Sequence, residues 1–88
     1  MSLTQTFSAL SDPNRQKILD LLKKKELPAG EIGRGLNITL ATLSHHLDIL
    51  KRNNLISGRR EGQQIIYSLN LSVLEEVTEK IIKFLKKK

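Results

Sequence analysis

The spacing of apolar residues changes period partway along this chain, and that change limits the folds open to it. In the stretch TLATLSHHLDILKRNNLI, which begins at Thr39, Leu43, Leu47 and Leu50 stand at i, i+4 and i+7, one face of a helix. Within a few residues ISGRREGQQIIYSL switches to alternation, with Ile65, Tyr67 and Leu69 two apart and a Glu61-Gly62 turn between two short runs. A helix therefore delivers the chain straight into a hairpin. A two-residue loop at Glu61-Gly62 sets Ile56 opposite Tyr67 and Gly58 opposite Ile65.

Upstream, Leu3, Phe7 and Leu10 predict a first helix over residues 4–10. Ser11-Asp12-Pro13 reads as a stop followed by a new N-cap, since proline is tolerated in a first helical turn. The second helix buries Ile18, Leu21 and Leu22 and runs out in Lys23, Lys24 and Lys25, cations suited to its C-terminal end. Leu27-Pro28-Ala29 restarts the chain. Ile32 and Leu36 define a short third helix, with Gly35 marking its end or the turn that follows. Thr39 caps the fourth helix, which fades at Asn53-Asn54, and a last helix from Ser72 carries Leu74, Val77, Ile81, Ile82, Phe84 and Leu85. The expected class is mainly α with a β-hairpin, order α-α-α-α-β-β-α, in one domain over residues 1–88. Two helices joined by a short turn, the second opening on a small polar residue, suggest helix-turn-helix. Three-helix bundles share that early pattern. The basic hairpin that follows makes this a winged helix-turn-helix.

Eighty-eight residues make one small domain. No cysteine is present, so disulfides and thiolate metal sites are excluded and a reducing cytoplasm suits the chain. No run approaches the roughly 18 apolar residues of a membrane span, and no secretory signal pattern opens the sequence. Fifteen Lys and Arg against nine Asp and Glu give +6, doubled in a dimer, which favours a polyanion partner. Five lysines in the last nine residues leave ordinary solubility charge as the bland reading.

The two histidines, His45 and His46, test what the fourth helix does. With Leu43 at zero and about 100° per residue, Leu47 falls at about 40° and Leu50 at about 340°. His46 lands at about 300°, flanking the core, where it is expected to donate a hydrogen bond. His45 lands at about 200°, on the outer face with Ala41, Asp48 and Arg52, bordered by Thr42 and Ser44. The two rings diverge and cannot share one metal ion on a regular helix. No cysteine nucleophile and no serine with an orienting histidine–carboxylate pair is evident, so the sequence predicts no enzyme. Short hydrogen-bonding side chains beside Ala41 suit a helix that reads base edges in the major groove. A merely solvated face would carry more Glu and Lys.

FSALSDPNRQKILDLL together with LSHHLDILKRNNLISGRREGQQIIYSL resembles the ArsR-type winged-helix repressors of bacteria, above all their short, cysteine-free autorepressor branch. The resemblance spans nearly the whole chain. It implies a homodimeric repressor of double-stranded operator DNA, with helix contacts from Thr39, Leu40, Ala41, Thr42, Ser44 and His45 and wing contacts from Arg59 and Arg60. Many relatives place polar or basic residues where this chain has Leu40 and Ala41. The family's metal sensors use a Cys-x-Cys or a histidine/carboxylate cluster on the last helix, and neither pattern stands here, so no metal and no cofactor is expected.

Gln63, flanking the turn, and Lys51 and Arg52, late in the fourth helix, are further phosphate candidates. The first and last helices carry more apolar surface than the central elements can cover. A two-fold dimer built on Leu3, Phe7, Leu10, Leu74, Val77, Ile81 and Leu85 follows, the rival being that both helices simply complete the monomer core. With metal set aside, derepression falls to a protein anti-repressor or to repressor level. The alternative function is a winged-helix interaction module working mainly through a protein partner.

Overall fold

Asp12 divides the first helical stretch in two. In the computed structural model, which describes residues 3–86, its carboxylate accepts hydrogen bonds from the backbone N–H groups of Asn14 (2.8 Å) and Arg15 (3.1 Å). Pro13 fills the first helical position behind it. Helix α1 (Leu3–Leu10) therefore ends just before α2 (Pro13–Lys24), as the sequence predicts.

The restart at Leu27 is a strand, which corrects the expected order. β1 (Leu27–Pro28) pairs antiparallel with β3 (Gln64–Leu69), Leu27 against Tyr67, and β2 (Ile56–Glu61) flanks β3 on the other side. The order is α-α-β-α-α-β-β-α, and the wing is the larger part of a three-stranded sheet ordered β1-β3-β2. A two-residue strand has no alternation to read, and Pro28 is tolerated because β1 is an edge.

Helix α3 (Ala29–Leu36) includes Gly35 rather than ending on it. The cap is Asn37, in the left-handed region at φ 55°, whose N–H bonds to the Gly33 carbonyl at 3.0 Å. Gly33 instead serves packing: a Cβ there would stand 3.2 Å from Leu43 Cδ2, so the bare backbone lets α3 approach α4 (Leu40–Arg52). Thr39 caps α4 as predicted, accepting from the Thr42 N–H at 3.2 Å. The core closes on Ile18, Ile32, Leu43, Leu50 and Leu55, all fully buried.

The hairpin register differs by two residues from the expected one. Ile56 pairs with Leu69 and Gly58 with Tyr67, because Glu61 extends β2 to pair with Gln64 and the loop is Gly62-Gln63. Gly62 supplies the positive φ (65°) at the first loop position, where a type II′ turn demands it. At the far end Asn70 fixes the hairpin to the corner after α4: its side-chain N–H donates to the Asn54 carbonyl (2.9 Å) and its amide oxygen accepts from the Ser57 hydroxyl (2.7 Å). Helix α5 (Leu71–Lys86) follows at once, with Val77 buried and Val73 and Leu74 half-buried.

Partial burial works against the Asp12 carboxylate. Donation from the Arg15 and Asn14 N–H groups, with the nearby charge of Arg15, nonetheless holds its pKa below the ordinary 3.8. Because the folded carboxyl titrates below the unfolded one, its contribution is complete above about pH 4 and is lost as pH falls through the folded pKa. Asp12→Ala is expected to cost about 1 kcal/mol at neutral pH, and the deficit should narrow in acid. Asp12→Asn keeps a capping oxygen and should lose less. Urea unfolding of the three proteins at neutral and at acid pH checks both statements.

Candidate nucleic-acid interface

The leucines of α4 face inward and set the orientation of everything else on the helix. Leu43, Leu47 and Leu50 are buried, His46 is 6% exposed, and His45 is on the open side, as the helical angles predict. That open side presents Leu40, Ala41, Thr42, Ser44, His45, Asp48, Lys51 and Arg52, all exposed. Thr39, also exposed, shapes the start of the helix. Its hydroxyl caps the helix and donates its proton to the Thr42 oxygen at 2.9 Å, leaving the Thr42 proton for an outside acceptor.

His46 accepts where the sequence predicts that it donates. Arg15 Nη1 lies 3.2 Å from His46 Nδ1, and a guanidinium has no lone pair to offer, so Nδ1 is the acceptor and the ring proton of the neutral imidazole sits on Nε2. Nε2 is 4.0 Å from the Asp12 carboxylate. Arg15 also donates from Nε to the Ala9 carbonyl (2.7 Å) and from Nη2 to the Ser8 carbonyl (3.1 Å). This buried arginine holds α1, α2 and α4 together, and sequence reasoning misses it as a functional residue. Its signal is positional: Arg15 precedes Ile18 and Leu22 on the buried stripe of α2, a site where a solvated cation does not belong.

The cations around the outer face are not equivalent. Arg59 donates to Glu26 at 2.7 Å and to Glu61 at 3.1 Å. Those bonds raise the Arg59 pKa, and the bond from Arg59 lowers that of Glu26. Arg52 pairs with Asp48 one turn back, at 3.1 Å. Arg60 and Lys51 are exposed and make no ion pair among the described residues, and Gln63 is exposed in the turn. Glu26, in the loop before β1, escapes a sequence reading because nothing links it to a position 33 residues on.

Among the described residues no three His, Asp or Glu side chains gather as a metal ion would need. No helix among them is long and apolar enough to cross a membrane. Of the predicted dimer residues, Leu3, Phe7 and Leu85 are exposed, and Leu10, Leu74 and Ile81 are half-buried. Val77, at 4% exposure, is buried within its own protomer.

A helix-turn-helix domain family matches residues 10–59. The transcriptional repressor SdpR of Bacillus subtilis is 46% identical over 85 residues, covering 97% of this chain and 94% of the relative. The arsenical resistance operon repressor of Staphylococcus xylosus is 35% identical over 79 residues, covering 90% and 76%. The chain belongs to the ArsR family of transcriptional regulators. Its members act on transcription and are not enzymes. The same fold is seen in solved structures. The homodimeric winged helix-turn-helix DNA-binding domain of Mb0332 from Mycobacterium bovis, a possible ArsR-family regulator, superposes with a TM-score of 0.78 at 28% identity, covering 91% of this chain and 75% of that one.

The two histidines should respond oppositely to the same substitution. His45→Ala is expected to change stability by less than about 0.5 kcal/mol, as exposed substitutions do. His46→Ala leaves Arg15 with an unpaired buried N–H and a packing defect, and should cost about 1–3 kcal/mol. Thermal unfolding of both variants decides it, and similar losses would contradict the facing of α4.

Proposed function

We propose that the chain is a cytoplasmic repressor that binds a palindromic operator as a two-fold homodimer. Helix α4 enters the major groove of each half-site, and the β2–β3 wing lies on the flanking backbone. The observation that carries this reading is the outer face of α4. Its first two turns are exposed and uncharged, with hydroxyl, imidazole and small apolar groups, while the free cations stand at its rim. Base edges call for the former and phosphates for the latter. The role of SdpR as a transcriptional repressor and the homodimeric state of the Mb0332 domain support it.

In the dimer, exposed Leu3 and Phe7 of α1 and Leu85 of α5 meet their symmetry mates, with Leu10, Leu74 and Ile81 beneath them. The operator contacts are Leu40, Ala41, Thr42, Ser44 and His45 on α4. Arg60 and Lys51 are the readiest phosphate contacts, since Arg59 and Arg52 must first leave carboxylates. Gln63 extends the wing tip.

Sedimentation should give twice the 10.0 kDa chain mass, and a gel shift should favour a selected palindrome over its scramble. Arg60→Ala should flatten the dependence of affinity on salt by about one logarithmic unit for each phosphate that the variant ceases to neutralise. Arg59→Ala should change that slope less. An unaltered slope for Arg60→Ala would remove the wing from the interface.

With no cysteine in the chain and no histidine/carboxylate cluster among the described residues, the reading we propose is repression independent of metal. Stoichiometric zinc or a chelator should leave operator affinity within a factor of about three. A tenfold loss with zinc would reverse that conclusion.

A further inference from the structure

Leu40 is an anomaly on the face just described. It is the first residue of α4, it is 69% exposed, and it belongs to neither of the helices whose apolar surface the dimer covers. Thr39 caps the first turn, and Leu40 borders a shallow groove together with Gly30 and Gly33 of α3. Leu43, one turn on, lies on the same side of the helix and is fully buried, so Leu40 is exposed by its place at the very start of α4.

The composition of the same turns limits what they can read. Residues 39–47 contain no Arg, Lys, Asn, Gln, Asp or Glu. The bidentate readers of guanine (Arg, Lys) and adenine (Asn, Gln) and the carboxylates that accept from cytosine N4 are therefore absent from the first two turns. What remains is aliphatic carbon, hydroxyl and imidazole. Only one base shows an apolar group in that groove: thymine, through its C5-methyl.

We propose that Leu40 is a specificity-determining residue that selects thymine by packing against this methyl group, once in each half-site. The inference rests on α4 lying in the major groove as proposed above, and adds the base class that its leading residue prefers. The half-site is thus read at this position by burial of apolar surface rather than by a hydrogen-bonded pair. Cytosine, which offers hydrogen where thymine carries its methyl, is disfavoured only because that burial is missing.

The test uses the full chain and a randomised palindromic duplex pool. Failure to enrich any duplex overturns the operator reading itself and this inference with it. If a duplex is enriched, it is resynthesised with deoxyuridine replacing each thymine in turn, symmetrically in both half-sites. Deoxyuridine lacks only the methyl, and hydrogen bonding is unchanged. One position should then lose affinity by about fourfold per half-site, or about fifteenfold for the pair, the effect of removing one buried methyl each time. Leu40→Ala, whose melting temperature should match the parent because the side chain is exposed, should bind the thymine and deoxyuridine duplexes equally at that position. Indifference of the parent protein to deoxyuridine at every position overturns the proposal while leaving operator binding intact. So does a thymine preference that persists undiminished in Leu40→Ala.

Discussion

The arrangement of the three helices around the reading surface depends on one buried guanidinium. Helix α1 has eight residues, too few to hold its shape in water without tertiary support. Its last carbonyls lack intrahelical partners, and groups beyond the helix serve them: Ser11 bonds to that of Ser8 and Gln16 to that of Leu10. Arg15 donates to two of them, at Ser8 and Ala9, with its charge set against the negative end of the helix dipole. Its remaining bond reaches His46 on α4. A buried charge is costly unless its donors are satisfied, and here each contact that satisfies it also positions another element. The helix bearing Leu3 and Phe7 is thus linked by two hydrogen-bonding steps to the helix bearing His45.

The wing is anchored at its base and at its middle by polar contacts. Asn70 ties its base to the corner after α4, and Arg59 ties its middle to Glu26, outside the hairpin. Exposed ion pairs of the second kind contribute little to stability. Their role here is geometric, since they hold the strand that carries Arg60. One arginine braces the wing and its neighbour faces outward, a division of labour invisible in the dipeptide itself.

Much of this fold is legible in the sequence because its largest signals are periodic. Leu43, Leu47 and Leu50 are enough to orient α4 and separate the two histidines, and the change of period after Asn54 is enough to place the wing. The misses have local causes. β1 is two residues long. The hairpin register turns on whether Glu61 belongs to the loop or the strand, and the preference of Gly62 for the first loop position decides it. The end of α3 falls not on a glycine but on Asn37, which takes the left-handed capping conformation, while Gly33 and Gly35 pack closely against Leu43 and Leu21. Arg15 and Glu26 act through partners distant in sequence, and no spacing rule reports such pairs. Val77 can be recognised as apolar but not assigned to the inside of its own protomer.

The order of the sheet also bears on self-association. With β3 in the middle, β1 and β2 are both free edges, and a free edge is a template for pairing with a strand from another molecule. β1 is two residues long and ends in proline, which offers no amide to pair. β2 is six residues long and would be the vulnerable side, but its outer half carries charged side chains, Arg59, Arg60 and Glu61, of which Arg60 makes no ion pair among the described residues, and charge on an edge disfavours pairing with a second copy. The cations suited to a polyanion thus also keep the protein from assembling into extended sheets in its absence, so the wing's charge bears on solubility in the cell as much as on recognition.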